Sequence, residues 1–170
     1  SLGARTMPVR CFCRGAESLT TSADVIEVTG NSSSGGVEFV LFARPRGMLV
    51  GVGSAHTDRH VETYSITVSK QMCAKPIALA AWRHADVAGH WDELIFRSWA
   101  VEDGVRRLYQ EGLVAAIRTP EDFIARHLAA PRELPAGTAR YCGTLALHGD
   151  VPRDPNLRFA HGLSLLHISQ

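Results

Sequence analysis

The sequence predicts a β-rich α+β fold built as a single domain over residues 1–170. Short segments of alternating apolar and polar residues recur along the chain, and turn-forming residues separate most of them. One segment after Thr119 has the pattern of a helix, whereas strands and helices do not alternate as they do in a doubly wound sheet. These observations favour a mixed or antiparallel sheet.

Composition and charge exclude several classes of protein. The chain has a formal net charge of +1, with 45% hydrophobic and 21% charged residues, which is typical of a globular domain. It has no basic run that would neutralise nucleic-acid phosphates and no apolar run long enough to span a membrane. We therefore expect neither a nucleic-acid nor a membrane partner. Without a signal-peptide pattern, a cytoplasmic location with reduced cysteines is expected.

Residue 1 is a serine rather than methionine, and we expect a preceding segment to be missing. In the N-terminal part, the pattern predicts strands at residues 7–13, 25–29 and 37–43, and an antiparallel partner of the last at 48–52.

Glu38 is the anomaly of the most apolar strand. Strict alternation places it on one face with Val40 and Phe42. A lone buried carboxylate is costly, so we expect it to be paired, metal-bound or exposed.

The stretch 50–76 concentrates chemically capable side chains. Its alternating apolar residues predict a strand, a polar turn and then a second strand over 61–68. Polar groups in a turn between two strands are held by a stiff frame, which suits catalysis or ligand binding. An ordinary solvated hairpin tip is an equally weighted alternative. The side chains in question are His56, Asp58, Arg59, Glu62, Lys70 and Cys73.

In the C-terminal part, residues 77–81 and 86–91 are predicted as short helical turns. Residues 94–101 and 105–110 are predicted as a hairpin around the Asp103-Gly104 turn. Thr119 as N-cap and Pro120 at the first position predict a helix that ends at Pro131, with His127 as a packed residue rather than a ligand. A strand is predicted at 138–144, and residues 158–168 are predicted as a closing strand pair or as one long strand bent around Gly162.

Four motifs follow one another in a distinctive order. They are V-G-S-A-H-T-D-R at 52–59, V-S-K-Q-M-C-A-K-P at 68–76, Y-Q-E-G at 109–112 and C-G-T at 142–144. In this order the chain resembles the catalytic domain of the fumarylacetoacetate hydrolase superfamily. More closely it resembles a bacterial branch catalogued as a domain of unknown function. The resemblance covers residues 8–149 and implies a mixed β-roll.

The resemblance also implies a site. The superfamily holds Mg or Ca with an E-x-E pair and an aspartate, beside a lysine that stabilises a small oxo-acid substrate. Glu38 matches the second Glu and Lys70 the lysine. Gly36 and Ala55 stand where the other carboxylates are expected, which weakens the expectation of a metal and leaves Asp58 or Glu62 as a substitute ligand. The implied substrate-binding residues are Gln110, Gly143, Thr144 and Arg59.

The chemistry implied by the resemblance is carbonyl chemistry on an oxo-acid. A bound cation would chelate a 2-oxo acid or β-diketone and stabilise its enolate. Lys70 would add positive charge at the oxyanion, and His56 would move protons because its reference pKa is ~6.5. An inert Cys73 thiol is favoured over a nucleophile.

Three functions therefore stay open. The first is a metal-assisted C–C hydrolase, decarboxylase or isomerase acting on a small oxo-acid. The second is a degenerate member that has lost its metal ligands and binds a small acid or serves as a structural protein. The third is a metal-free hydrolase using His56, Asp58 and Cys73. A homodimer is also expected, with Trp82, Trp91 and Trp99 as interface or core residues.

Overall fold

The computed structural model describes residues 15–127, 134–149 and 158–165. Within these residues four short helices are inserted among the strands, and the longest of them, α4, has eight residues. The strands are β1 (Thr20–Thr21), β2 (Ser33–Ser34), β3 (Val37–Arg44), β4 (Gly47–Ser54), β5 (Thr57–Asp58), β6 (Lys75–Arg83), β7 (Leu94–Glu102), β8 (Val105–Leu113), β9 (Ala139–Thr144) and β10 (Arg158–Leu165). The helices are α1 (Arg59–Glu62), α2 (Ile66–Gln71), α3 (His84–Val87) and α4 (Pro120–His127), and 3-10 turns lie at Glu17–Leu19, Ala88–Glu93 and Val114–Ala116.

The strands form two main sheets. The larger has the order β1-β6-β4-β3-β9 and is mixed, because β1 runs parallel to β6 while the other neighbours are antiparallel. The second sheet is antiparallel with the order β10-β7-β8, and β2 pairs separately with β5. The β-rich α+β class predicted from the sequence is thereby confirmed.

Strand β3 lies at the centre of the core. Its residues Val37, Phe39 and Leu41 are fully buried. The Phe39 ring lies 5.1 Å from the Trp91 ring in an edge-to-face arrangement and 6.4 Å from the Phe96 ring. Burial of each such side chain contributes roughly 1.5–3 kcal/mol. These contacts fix the position of the strand that carries Glu38.

Most of the predicted elements are present. Strands β3, β4, β7, β8 and β9 lie where the alternation predicts them, and Asp103 and Gly104 turn with φ of 50° and 77°. Helical turns cover 86–91 as expected. Helix α4 begins at Pro120, and the Thr119 hydroxyl accepts a hydrogen bond from the Asp122 N–H at 3.3 Å. Strand β10 covers the described part of 158–168. The strand at 7–13, the helix end at Pro131 and the packing of the His127 side chain lie outside the described residues.

Three predicted elements were wrong. Residues 61–68 do not form a strand but belong to α1 and α2, because Asp58 and Ser65 accept hydrogen bonds from backbone N–H groups and start each helix. Residues 77–81 form part of β6, which pairs with β4 rather than closing into helical turns. Residues 25–29 are not a strand, and Val25 is 80% exposed.

The tryptophans and cysteines differ in their surroundings. Trp91 is buried in the core, Trp82 is 41% exposed, and Trp99 is half-buried beneath the Arg106 guanidinium at 4.1 Å. The predicted homodimer stays a prediction. Cys73 and Cys142 are free thiols, as expected, whereas Cys11 and Cys13 lie outside the described residues. Within the described segments, no helix has the length and apolar character needed to cross a membrane.

Candidate functional site

The centre of the candidate site is the carboxyl group of Glu38. The side chain projects from β3 on the face opposite Phe39 and is only 8% exposed. Its Oε2 atom accepts a hydrogen bond from the Gly143 N–H at 2.7 Å. Gly143 has a φ of +103°, a left-handed conformation that glycine adopts without strain. The C-G-T motif thus supplies a backbone donor to the buried carboxylate.

The charges around Glu38 set its protonation. Burial raises the pKa of the Glu38 carboxyl, while the Gly143 N–H and the positive charges of Lys70 and Lys75 partly offset that rise. Burial and the nearby Glu38 carboxyl together raise the pKa of Tyr141 and of Cys142, so both stay protonated at neutral pH. Glu38 therefore holds a proton more readily than an exposed glutamate does.

Two lysines approach this carboxyl from different elements. Lys70 lies in α2 and donates a hydrogen bond to the Thr57 hydroxyl at 3.3 Å. Lys75 begins β6 and donates to the His56 carbonyl at 2.5 Å. Lys75 was not predicted as a site residue, although the V-S-K-Q-M-C-A-K-P motif contains both lysines. The position of Lys75 in the same motif as Lys70 is the sequence signal that could have assigned it to the site.

His56 is held in a defined orientation. The ring is buried, and its Nδ1 atom lies 3.1 Å from the Ser54 hydroxyl, which itself accepts a hydrogen bond from the Gly36 N–H at 3.2 Å. Because that hydroxyl already accepts one bond, its own proton is available to Nδ1. A Cβ atom on Gly35 would lie 2.8 Å from the ring's Cε1 atom. The glycine pair before β3 therefore makes room for this histidine.

Asp58 has a structural task in this fold. Its Oδ1 atom accepts hydrogen bonds from the His60 and Val61 N–H groups at 3.0 and 2.9 Å, which caps α1. No group of three His, Cys, Asp or Glu side chains in the described part of the chain is arranged to hold a metal ion. These residues thus do not supply the several oxygens that a hard cation prefers. The assignment of Glu38 and Asp58 as metal ligands stays a prediction.

Gln110 and Thr144 connect strands to one another. The fully buried Gln110 accepts a hydrogen bond from the Val37 N–H at 2.9 Å and donates to the Thr144 hydroxyl and the Leu145 carbonyl at 2.8 and 2.7 Å. The Thr144 hydroxyl donates to the Val37 carbonyl at 2.7 Å. These bonds use both amide hydrogens of Gln110 within the protein. Substrate binding by the two residues stays a prediction.

Arg59 is half-buried at the edge of this region. Its Nε atom donates to the Ser34 hydroxyl at 2.6 Å, and one terminal nitrogen donates to Glu62 at 2.8 Å. Burial raises the pKa of the Tyr109 hydroxyl, and the nearby Ser34 hydroxyl and Arg59 charge partly offset that rise. Cys73 is buried, with its Sγ atom 3.8 Å from the Ser33 hydroxyl. Arg59 thus has partners in the polar network beside β5.

The structure brings several of the predicted residues together with Lys75, which was not predicted. We call them the Glu38 cluster: Glu38, His56, Lys70, Lys75 and Gly143. It combines a proton-holding carboxyl, an oriented imidazole and two positive charges. Such a set can bind a small carboxylate and move a proton on it.

A comparison with protein families shows which family this chain belongs to. Residues 4–161 match the model of a family described as "Protein of unknown function (DUF2848)". This chain belongs to the DUF2848 family. No curated protein matches the DUF2848 chain.

Solved structures show which fold the family has. A 2-keto-3-deoxy-D-arabinonate dehydratase complexed with magnesium and 2,5-dioxopentanoate superposes with a TM-score of 0.66 at 14% identity, over 88% of this chain and 57% of that chain. Its apo form gives 0.64 at 13% identity, over 89% and 56%. Yeast ynq8, a fumarylacetoacetate hydrolase family protein, gives 0.59 at 18% identity, over 90% and 77%. The DUF2848 chain thus has the fold of the fumarylacetoacetate hydrolase superfamily and spans little more than half of the dehydratase.

Proposed function

We propose that this DUF2848 protein is a fumarylacetoacetate hydrolase-type enzyme that acts on a small 2-oxo acid or a related carbonyl compound. The observation that carries the proposal is the buried Glu38 carboxyl, placed against the charges of Lys70 and Lys75 in this fold. A neighbour with the same fold is complexed with magnesium and 2,5-dioxopentanoate, a compound with two carbonyl groups besides its carboxylate.

The Glu38 cluster suits enolate chemistry. The ammonium groups of Lys70 and Lys75 attract the substrate carboxylate and stabilise negative charge that develops on its carbonyl oxygen. Glu38, when ionised, takes a proton from the carbon beside the carbonyl, and the electron pair moves to that oxygen. Its raised pKa makes the carboxyl a better proton acceptor than an exposed glutamate. His56, oriented by Ser54, is a second proton carrier.

The sequence resemblance implies a metal-assisted reaction, but the described residues offer few ligands for a cation. Glu38 is the only carboxylate of the Glu38 cluster, and the described residues offer no group of three donors. We therefore assign no step to a cation. This same shortage of ligands favours the alternative function, a degenerate member that binds a small acid without turning it over.

The test combines binding and turnover on the full chain. Pyruvate, 2-oxoglutarate and 2,5-dioxopentanoate are each added with and without magnesium. Binding is followed by calorimetry and conversion by proton NMR. We expect conversion of at least one compound, a loss of about 100-fold or more in the Glu38→Gln variant, and weaker binding in Lys70→Met. Arg107→Gln is a matched control, because Arg107 pairs with Glu102 on an exposed strand of the other sheet.

The other possible results of this experiment distinguish the enzyme from the alternative function. Binding without conversion supports the small-acid-binding alternative and contradicts the enzyme. No binding at about 10 mM, an affinity worth less than ~3 kcal/mol, refutes both. Magnesium binding that is lost in Glu38→Gln would show that a carboxylate metal site exists, in agreement with the sequence-based hypothesis.

A further inference from the structure

A second group of charged residues lies away from the Glu38 cluster. An open cleft of about 500 Å³ is located at the end of the larger sheet. Its rim is formed by arginine side chains, and half-buried Met48 and Leu49 lie between them. The lining residues are Arg44, Arg46, Gly47, Met48, Leu49, Arg83, His84 and Ala85.

The strand register explains why the arginines meet. Arg44 ends β3 and pairs with Gly47 across the tight turn that contains Arg46, and Gly47 adopts a φ of +109°. Arg83 ends β6 and pairs with Leu49 on β4. Strands β3 and β6 flank β4, so their backbones are roughly 10 Å apart. Three arginines thus line the cleft at one end of β4.

The described residues balance only part of the positive charge of this cleft. None of the described residues that line it is acidic. Arg83 contacts Asp86 at 2.8 Å and His84 contacts Glu121 at 3.3 Å. Within the described part of the chain, no ion pair forms to Arg44 or Arg46. Neighbouring guanidinium groups repel one another, and an oxyanion between them removes that repulsion while accepting paired N–H bonds.

We propose that this cleft binds a small molecule with two oxyanion groups, either phosphates or carboxylates, through Arg44 and Arg46 with Arg83 as a third contact. The cleft volume exceeds what one such group occupies. Six residues of extended strand separate Arg44 from Glu38, about 20 Å. The ligand is therefore distinct from a substrate at the Glu38 cluster. A net charge of only +1 argues against nucleic acid as the occupant.

The experiment uses inorganic pyrophosphate and citrate as probes in calorimetry on the full chain at low salt. Arg44→Gln/Arg46→Gln should weaken binding by about 10–100-fold, since charge-assisted hydrogen bonds to both groups are lost. Arg107→Gln should bind like the parent. Affinity should fall as sodium chloride is added.

Three outcomes overturn the proposal. The first is no binding of either probe at about 10 mM. The second is an equal loss of affinity in Arg107→Gln. The third is a short DNA duplex that binds tighter than pyrophosphate and depends on the same arginines, because this would mark a nucleic-acid surface. Circular dichroism of the double variant excludes misfolding, and a second variant, Arg83→Gln, tests the same cleft independently.

Discussion

Replacing Gln110 by methionine tests whether this buried amide holds strands together. Methionine has nearly the same length and fills the same space, so the change removes the amide with little loss of packing. The Val37 N–H and the Leu145 carbonyl then lose their partners, which lie 2.9 and 2.7 Å away in the parent. Thr144 keeps its bond to the Val37 carbonyl.

The size of the effect follows from those two backbone groups. A buried donor or acceptor without a partner costs about 1–3 kcal/mol. The Val37 N–H lies beside fully buried residues, whereas Leu145 is half-buried and water can partly replace its partner. We therefore expect the free energy of unfolding to fall by about 2–5 kcal/mol in Gln110→Met. In Thr144→Val the free energy of unfolding should fall by only about 1 kcal/mol, because Thr144 is exposed.

Urea unfolding followed by circular dichroism measures both variants at the same pH and ionic strength. A free energy of unfolding for Gln110→Met within about 0.5 kcal/mol of the parent would refute the structural role. Gln110 would then be available as a substrate contact, as the sequence resemblance implies. A loss of stability without loss of ligand affinity would support the structural role.

Three further predictions concern single side chains. Asp58→Ala should lower the free energy of unfolding by about 1 kcal/mol through loss of the α1 cap, and Asp58→Asn should restore most of it in urea unfolding. Gly53→Ala should lower the stability by about 1–3 kcal/mol in thermal unfolding, because its Cβ would lie 2.8 Å from two side chains. Gly89→Ala is the control and should keep the stability of the parent, because its Cβ meets nothing within 4 Å. Burial raises the pKa of Glu38 above 4.5, so ionising it disfavours the folded state. Stability measured as pH rises from about 4.5 should therefore fall more in the parent than in Glu38→Gln.

The core strands were predictable because their signal is local. Alternation over 37–43 and 94–101 depends only on neighbouring residues, and the structure has β3 and β7 at these positions. Helices α1 and α2 were missed because an apolar spacing typical of a strand masked two short capped helices. The cap residues Asp58 and Ser65 were visible in the sequence, but four- and six-residue helices give too few turns for a periodic pattern.

The candidate site was only partly predictable because its contacts are long-range. Alternation identified Glu38 as an unusual carboxylate, but the sequence does not show that the Gly143 N–H, 105 residues away, satisfies it. Lys75 was missed for the same reason, since its role depends on where β6 begins relative to β3. Local sequence patterns predict which residues are unusual. The residues that contact them can be predicted only once the order of the strands in the sheet is known.

Carboxylates are expected at two positions that hold Gly36 and Ala55 instead. The packing around the first of them, Gly36, bears on whether a carboxylate could be restored there. A Cβ atom at Gly36 would lie 3.1 Å from the Thr144 hydroxyl, and its N–H bonds the Ser54 hydroxyl that orients His56. A glutamate at residue 36 would crowd Thr144, whose hydroxyl joins Gln110 to β3. The glycine is thus coupled to the hydrogen bonds that hold His56 and Gln110. Restoring the carboxylate alone would disturb those bonds before it could complete a metal site.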